Sequence, residues 1–225
     1  MTNKQTSILI LGATGLTGLA CIQKLSDHPS KPQIHAFCRS QSKLGKHRDL
    51  CTSVVQGDAR KPEDIRSALE QTNANWIVVA VGNGNDVSKS DIRTVSGQAI
   101  AKVLTQDPAF GRIRTVVVSS NGAGGSKIIV GLGIGSLISF HLRHVMKDHT
   151  GQEAAFKPIQ SRTIIVRPTS LTTNAPTGKL VEFGDKEKGP SIHTDRSDLA
   201  EWISQAILNG KDHTKVVNLT GVRDA

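Results

Sequence analysis

A glycine spacing close to the start of the chain narrows the choice of folds more than any other feature. The apolar run at residues 7–11 leads directly into Gly12-Ala13-Thr14-Gly15-Leu16-Thr17-Gly18, and apolar residues then recur at helical spacing as far as Leu25. Between a strand and a helix, each glycine of such a triplet has its own physical use. Gly12 permits a tight turn, Gly15 lets a ligand approach the backbone, and Gly18 lets the helix pack closely. Free N–H groups and the helix dipole at that point hold negative charge, as in the diphosphate of a dinucleotide. The plainer alternative is an ordinary glycine-rich turn.

The rest of the chain favours the first reading. Short apolar runs recur at residues 34–38, 53–56, 76–81, 115–119, 163–166 and 215–219, and helical spacing fills residues 62–69, 95–104 and 199–208. This alternation marks repeated βαβ units, and near-continuous apolar strands suit a parallel sheet covered on both faces. The expectation is an α/β fold, a Rossmann-like doubly wound parallel sheet with a small C-terminal substrate lobe. Residues 1–225 form a single domain in this reading, with 168–195 and 122–145 contributing the substrate side. Pro62 followed by Glu63 and Asp64 starts one helix, and the segment from Asp195 to Asp198 caps the last. In such folds ligands bind at the carboxyl edge of the strands.

Composition bounds the function. Of 225 residues, 37% are hydrophobic and 21% charged, as in a globular chain rather than a disordered one. The net charge of +9 draws anions of any kind. Three cysteines, Cys21, Cys38 and Cys51, lack metal-ligand spacing and read as reduced core thiols. A secretory head is absent from the first residues, so a cytoplasmic protein is expected. The apolar stretch at residues 128–140 falls short of the roughly 20 residues that span a bilayer, so no membrane segment is expected.

The residues after each strand suggest which dinucleotide. An acid about 20 residues beyond the glycines would bind a free ribose hydroxyl, yet residues 28–48 hold Lys31, Arg39, Lys43, Lys46 and Arg48 and no Asp or Glu. Arg39-Ser40, directly after the second strand, suits a ribose 2′-phosphate and hence NADP(H); the alternative is a solvated basic loop. Asp58 and Ala59 stand where a short acid and the next amide reach an adenine edge, or form a plain turn. Ala80-Val81-Gly82-Asn83-Gly84-Asn85 ends the fourth strand with small residues over which a flat ring passes closely. Ser119-Ser120-Asn121 ends the fifth and offers hydroxyls near the expected nicotinamide, with Ser119 a candidate for binding the cofactor.

Gly124, Gly125, Gly131, Gly133 and Gly135 read either as a mobile lid over an apolar substrate or as a loop leading into a buried helix, with the helix favoured. His141, His144 and His149 belong to a dense basic cluster, read as a solvated helix face. His141 and His144 lack a completing carboxylate or Cys, so no metal is expected. Ser120 is a candidate to orient a substrate carbonyl, Arg167 reads as structural, and His193 either lines the pocket or merely caps. No Tyr occurs anywhere.

Taken together, residues 12–18, Arg39-Ser40, Gly57-Asp58, residues 80–82, Ser119-Ser120, Asp148-His149, Val166-Arg167-Pro168 and Asp198-Leu199-Ala200 resemble, in order, the atypical short-chain dehydrogenase/reductases. The chain is most similar to their NmrA-like, NAD(P)H-binding branch, which includes biliverdin-IXβ/flavin reductase. The resemblance implies NADP(H) as cofactor, with Thr14, Leu16 and Thr17 at the diphosphate, Arg39 and Lys43 at the 2′-phosphate, and Asp58 with Ala59 at adenine. It places Ala80, Val81, Gly82 and Pro168 beside the nicotinamide, and His149 as a proton donor with an imidazole pKa near neutrality. A chain without Tyr lacks the Tyr-x-x-x-Lys pair of ordinary relatives, so catalysis rests on holding donor and acceptor in register.

The expected function is therefore an NADP(H)-dependent oxidoreductase acting on a small or mid-sized apolar carbonyl, quinone or flavin-like substrate. A non-catalytic NmrA-like NADP-binding regulator and a cofactor-using isomerase or dehydratase are the alternatives. The expected partner is a small-molecule substrate, with no nucleic acid and no membrane, for a monomer or homodimer.

Overall fold

The computed structural model describes residues 5–84, 86–131, 134–209 and 215–222; Asn85 and Gly133 of the segments above lie outside the described residues. The first strand, β1 (Ser7–Leu11), is buried at every position. It pairs in parallel with β2 (Gln33–Cys38) on one side and β4 (Trp76–Val79) on the other, so that Ile8 stands opposite both Ile34 and Trp76. With β3 (Ser53–Gln56), β5 (Arg114–Val118), β6 (Thr163–Pro168), β8 (Leu180–Phe183) and β10 (Val216–Gly221), the strand order is β3-β2-β1-β4-β5-β6-β10-β8. All pairs are parallel except β10 with β8. The direction of winding reverses between β1 and β4, the place where open α/β sheets bind ligands.

Alternate residues of each strand serve two cores. Ile8, Ile10, Trp76, Val78, Val116 and Val166 pack with α1 (Leu16–Asp27) and α6 (Arg196–Leu208). Leu9, Leu11, Ile77, Val79 and Val117 face α2 (Pro62–Thr72) and α3 (Ile92–Gln106). Continuous apolar strands thus have a partner layer on each face, as the sequence pattern predicts.

Helix ends follow their residues. Pro62 occupies the first turn of α2 with Glu63 and Asp64, and Asn73 closes the helix in the left-handed conformation. Asp195 caps α6 by accepting from the Ser197 N–H at 2.8 Å. Asp198 takes another part: buried, it accepts from the Thr177 N–H, the Thr177 hydroxyl and the Gly178 N–H, pinning the loop-rich segment to α6. That segment is more ordered than its prolines suggest, since β7 (Ser170–Thr172) and β9 (His193–Asp195) form a small parallel sheet.

One expectation is corrected. The helix beyond the glycines, α4 (Ile134–His141), is not buried: Leu137 is 71% exposed and Phe140 64%. Its neighbour α5 (Arg143–Ala155) buries Asp148, His149, Gln152 and Glu153 on its inner side, so the basic cluster is solvated on one face only. Among the described residues, no helix is long and apolar enough to cross a membrane.

Candidate functional site

The carboxyl ends of β1 and β4 meet at Gly12 and Ala80. Gly12 has φ +83°, and a Cβ there would lie 2.5 Å from the Ala80 carbonyl oxygen, so both conformation and space demand glycine. A Cβ on Gly18 would collide with the Gly12 carbonyl, which is how α1 packs so tightly beneath the turn. Gly15 is exposed at the start of α1, which carries no side-chain cap and no acid in its first turn. The first N–H groups of the helix are thereby left for a ligand.

From Gly15, Leu16 and Thr17 a cleft of about 250 Å³ runs past Ala80, Val81 and Gly82 to Ser119, Ser120, His149 and Pro168. Residues separated widely in sequence converge there because β1, β4, β5 and β6 are neighbours in the sheet. Thr14, half-buried, lies just outside the lining with Gly12 and Gly18. Sequence reasoning missed Arg93, Thr169, Ser170 and Arg196, which also line the cleft. Only the position of Arg93 at the start of α3 and of Arg196 after a capping Asp offered any signal. The described lining includes these two arginines and no carboxylate, which suits an anionic ligand.

His149 is 8% exposed, with a buried Nδ1 that has no hydrogen-bond partner among the described residues. Burial, reinforced by the nearby Arg93 guanidinium, lowers its pKa to about 3, against a smaller opposing pull from Asp148. The expected imidazole titrating near neutrality is thus corrected: at pH 7 this ring is neutral and donates or accepts a hydrogen bond without carrying charge. Its neighbour Asp148 reaches across to α3, accepting from the Thr94 N–H at 2.8 Å and the Arg93 N–H at 3.1 Å. Asp91, at the N-cap of α3, makes no side-chain cap, so a carboxylate from α5 supplies what the local sequence does not.

The two serines differ. Ser119 donates its hydroxyl to Glu153 Oε1 at 2.6 Å, and Glu153 is held in turn by Arg167. Ser120 donates only to the neighbouring Asn121 carbonyl at 3.2 Å, which leaves its hydroxyl readily redirected. Arg167 also reaches Asp185 at 3.0 Å and the Gly124 carbonyl at 3.1 Å, a structural role in line with its sequence reading.

Arg39, Ser40 and Lys43 stand beyond β2, and Asp58 and Ala59 beyond β3, outside the cleft lining but at the same strand edge. Arg39 and Lys43 are exposed, and Ser40 Oγ lies 3.1 Å from Ser42 Oγ. The Asp58 carboxylate is paired with Arg60 at 2.5 Å, and this contact lowers its pKa to about 2. Its N–H is committed to Asp64. Among the described residues no three His, Cys, Asp or Glu gather as a metal site. Cys21 and Cys38 are buried and Cys51 half-buried, with burial raising the Cys21 thiol to about 12.

Beyond Ser120, Thr169 and Ser170 the cleft adjoins an apolar chamber of about 300 Å³, walled by residues from the glycine-rich stretch, α4 and the loop-rich segment, including Ile128, Ile138, Leu142, Phe183 and Ile192. His193 lines this chamber from β9.

The residues present fit a dinucleotide: the turn admits no side chain at Gly12, the start of α1 is uncapped, and the described cleft lining carries cations alone. A family model described as NAD(P)H-binding matches residues 12–210. The chain is 31% identical to oxidoreductase stcQ of Emericella nidulans over 124 residues, which is 51% of this chain and 45% of stcQ, so it spans under half of that relative's length. The fold matches the crystal structure of oxidoreductase ylbE from Lactococcus lactis with a TM-score of 0.73 at 18% identity, covering 97% of this chain and 92% of that one. It also matches a short-chain dehydrogenase/reductase from Veillonella parvula in complex with NADP, with a TM-score of 0.72 at 17% identity over 96% and 94% of the two chains. With a Rossmann sheet, a glycine cradle at its switch point and a family match over most of its length, the chain belongs to the NAD(P)H-binding family.

Proposed function

We propose that the protein is an NADP(H)-dependent oxidoreductase whose substrate is a small or mid-sized apolar carbonyl, quinone or flavin-like compound. The observation that carries this reading is the uncapped start of α1 opening into a cleft whose described lining has two arginines and no carboxylate. Thr14, Gly15, Leu16 and Thr17 hold the diphosphate, and Arg39, Ser40 and Lys43 hold the 2′-phosphate. The lack of any acid between residues 28 and 48 supports NADP(H) over NAD(H). When bound, NADPH supplies a hydride.

The chain's own residues place the acceptor and exclude water. Ala80, Val81, Gly82 and Pro168 border the ring that donates, and Ser120 turns its hydroxyl toward the substrate oxygen. His149 contributes a neutral hydrogen-bonding edge, because Arg93 and burial together keep it unprotonated. Residues 168–195 and 122–145 supply the substrate side of a single domain.

The test is a fluorescence titration with NADPH and NADH of the native protein and of Arg39→Ala, followed by an acceptor screen. Tighter binding of NADPH, lost in the variant, together with turnover of an apolar acceptor supports the proposal. Failure to bind either cofactor overturns it. Binding without turnover of any acceptor favours a regulator instead, a reading that the neutral His149 and the missing Tyr also suit.

A further inference from the structure

The exposed face of α4 is bordered by charge of one sign. Ile134, Leu137 and Phe140 recur at three-residue spacing and all three are exposed. Buried Gly135 lets the other side of the helix lie against the Ile128 carbonyl, which a Cβ there would strike, so the outward direction of the apolar face is set by packing. Around it, no Asp or Glu occurs from residue 108 to residue 147. Arg143 stands over the Phe140 ring at 4.6 Å, and with Lys89 and Lys147 it lines a groove of about 620 Å³ along the start of α5. Of the two carboxylates in that groove, Asp148 is held by Arg93 and Thr94, which leaves Asp91 against three cations. Lys89, Lys127 and Lys147 are exposed and make no ion pair among the described residues.

We propose that α4 and the start of α5 form a docking surface for an anionic lipid bilayer. Ile134, Leu137 and Phe140 enter the boundary between headgroups and acyl chains, and Lys127, Arg143 and Lys147 meet the lipid phosphates and carboxylates. Size and charge favour lipid over protein. An eight-residue helix is about 12 Å long, far short of a stable protein interface of about 800 Å² per partner, and a second copy would set like charges face to face. The expectation of no membrane partner followed from the lack of a spanning segment, and a helix that lies in the interface needs none. Ile138 on the inner side of α4, and Leu142 just after it, line the apolar chamber. Resting on the function proposed above, the seated helix sets that chamber beside the phase in which an apolar substrate dissolves.

The test is co-sedimentation of the full chain, without cofactor, with vesicles of phosphatidylcholine alone or with about 30% phosphatidylserine, at about 0.15 M salt. The native protein is expected to partition about ten-fold or more in favour of the anionic vesicles. Leu137→Ser with Phe140→Ser is expected to weaken that binding about ten-fold, as is Lys127→Gln with Lys147→Gln. Lys102→Gln with Lys157→Gln, toward the far ends of α3 and α5, is expected to leave it unchanged. Leu137→Trp reports insertion directly, through a blue shift in emission on vesicle binding and quenching by brominated lipid; if the serine pair fails to fold, this variant and the lysine pairs decide. Sedimentation with neither vesicle overturns the proposal. Binding that survives loss of Leu137 and Phe140, or that falls equally in both lysine pairs, also overturns it, since the net charge of +9 then accounts for the attraction. Self-association abolished by the serine pair, without vesicle binding, overturns it in favour of a second copy, and binding of poly-glutamate without vesicle binding overturns it in favour of an acidic protein. Vesicle binding by a protein with no affinity for NADPH or NADH removes the oxidoreductase reading and keeps the docking surface; NADPH binding without vesicle binding does the reverse.

Discussion

Arg167, on the last parallel strand before the loop-rich segment, grips Glu153 of α5 with two hydrogen bonds, Nε to Oε1 at 2.8 Å and Nη2 to Oε2 at 2.6 Å. Both side chains are almost fully buried, at 5% and 8% exposure. The fork geometry of a guanidinium satisfies both carboxylate oxygens at once. Through Ser119 on one side and Asp185 on the other, the pair ties the floor of the cleft to the loop beyond β8.

Removing one partner strands the other. Arg167→Met is expected to lower unfolding stability by about 3–5 kcal/mol, measured by urea denaturation, because Glu153 stays buried and uncompensated. Arg167→Lys is expected to recover only part of this loss, since a single ammonium cannot make the paired contact. A cost below about 1 kcal/mol for Arg167→Met would show that the pair is solvated.

Gly12→Ala is expected to damage both stability and cofactor binding. The positive φ costs an L-residue about 1–2 kcal/mol, and the added methyl drives against the Ala80 carbonyl. NADPH affinity is expected to fall more than ten-fold in a titration, while the same substitution at exposed Gly131, where nothing lies within 4 Å, leaves it unchanged.

Asp148→Ala removes a cap and an ion pair together. The α3 N–H groups of Arg93 and Thr94 lose their acceptor, at about 1–2 kcal/mol for a lost cap. Among the described residues Arg93 then keeps its side-chain contact to Asn83. Hydrogen exchange at the start of α3 is expected to accelerate while α2 is unaffected; equal protection in both forms would mean that Asp148 is not the cap.

Acid is expected to destabilise the protein through His149. Its pKa is about 3 when folded and near 6.5 when unfolded, so between those values the unfolded chain binds more protons. Stability from this group is therefore complete above pH 6.5 and declines as pH falls, by about 2 kcal/mol at pH 5. His35, also lowered by burial, acts in the same direction. His149→Gln is expected to flatten melting temperature against pH between 7 and 5; an unchanged slope would place the imidazole in contact with water.

Much of the fold was legible because its signals are local. The run 7–11 followed by Gly12, Gly15 and Gly18 specifies strand, turn and helix within twenty residues, and Pro62 and Asp195 mark helix starts by chemistry contained in their own turns. The cleft was legible where strand ends carry it, as at residues 80–82 and Ser119-Ser120, since adjacent strands end together. Arg93 was missed because its sequence neighbours resemble any helix start. The exposure of α4 was missed because the stretch 128–140 is apolar apart from its glycines, and apolar composition alone does not say whether another element lies against it.

By itself, then, the amino-acid sequence determined the alternating layers, the glycine turn and the basic character of the strand edge, because each depends on neighbours a few residues apart. Tertiary structure alone decided the rest: that Asp148 caps a helix 55 residues away, that Arg167 finds Glu153, and that His149 is neutral. Those outcomes depend on burial and on the charge brought within reach by packing, and neither exists until the helices have settled on the sheet.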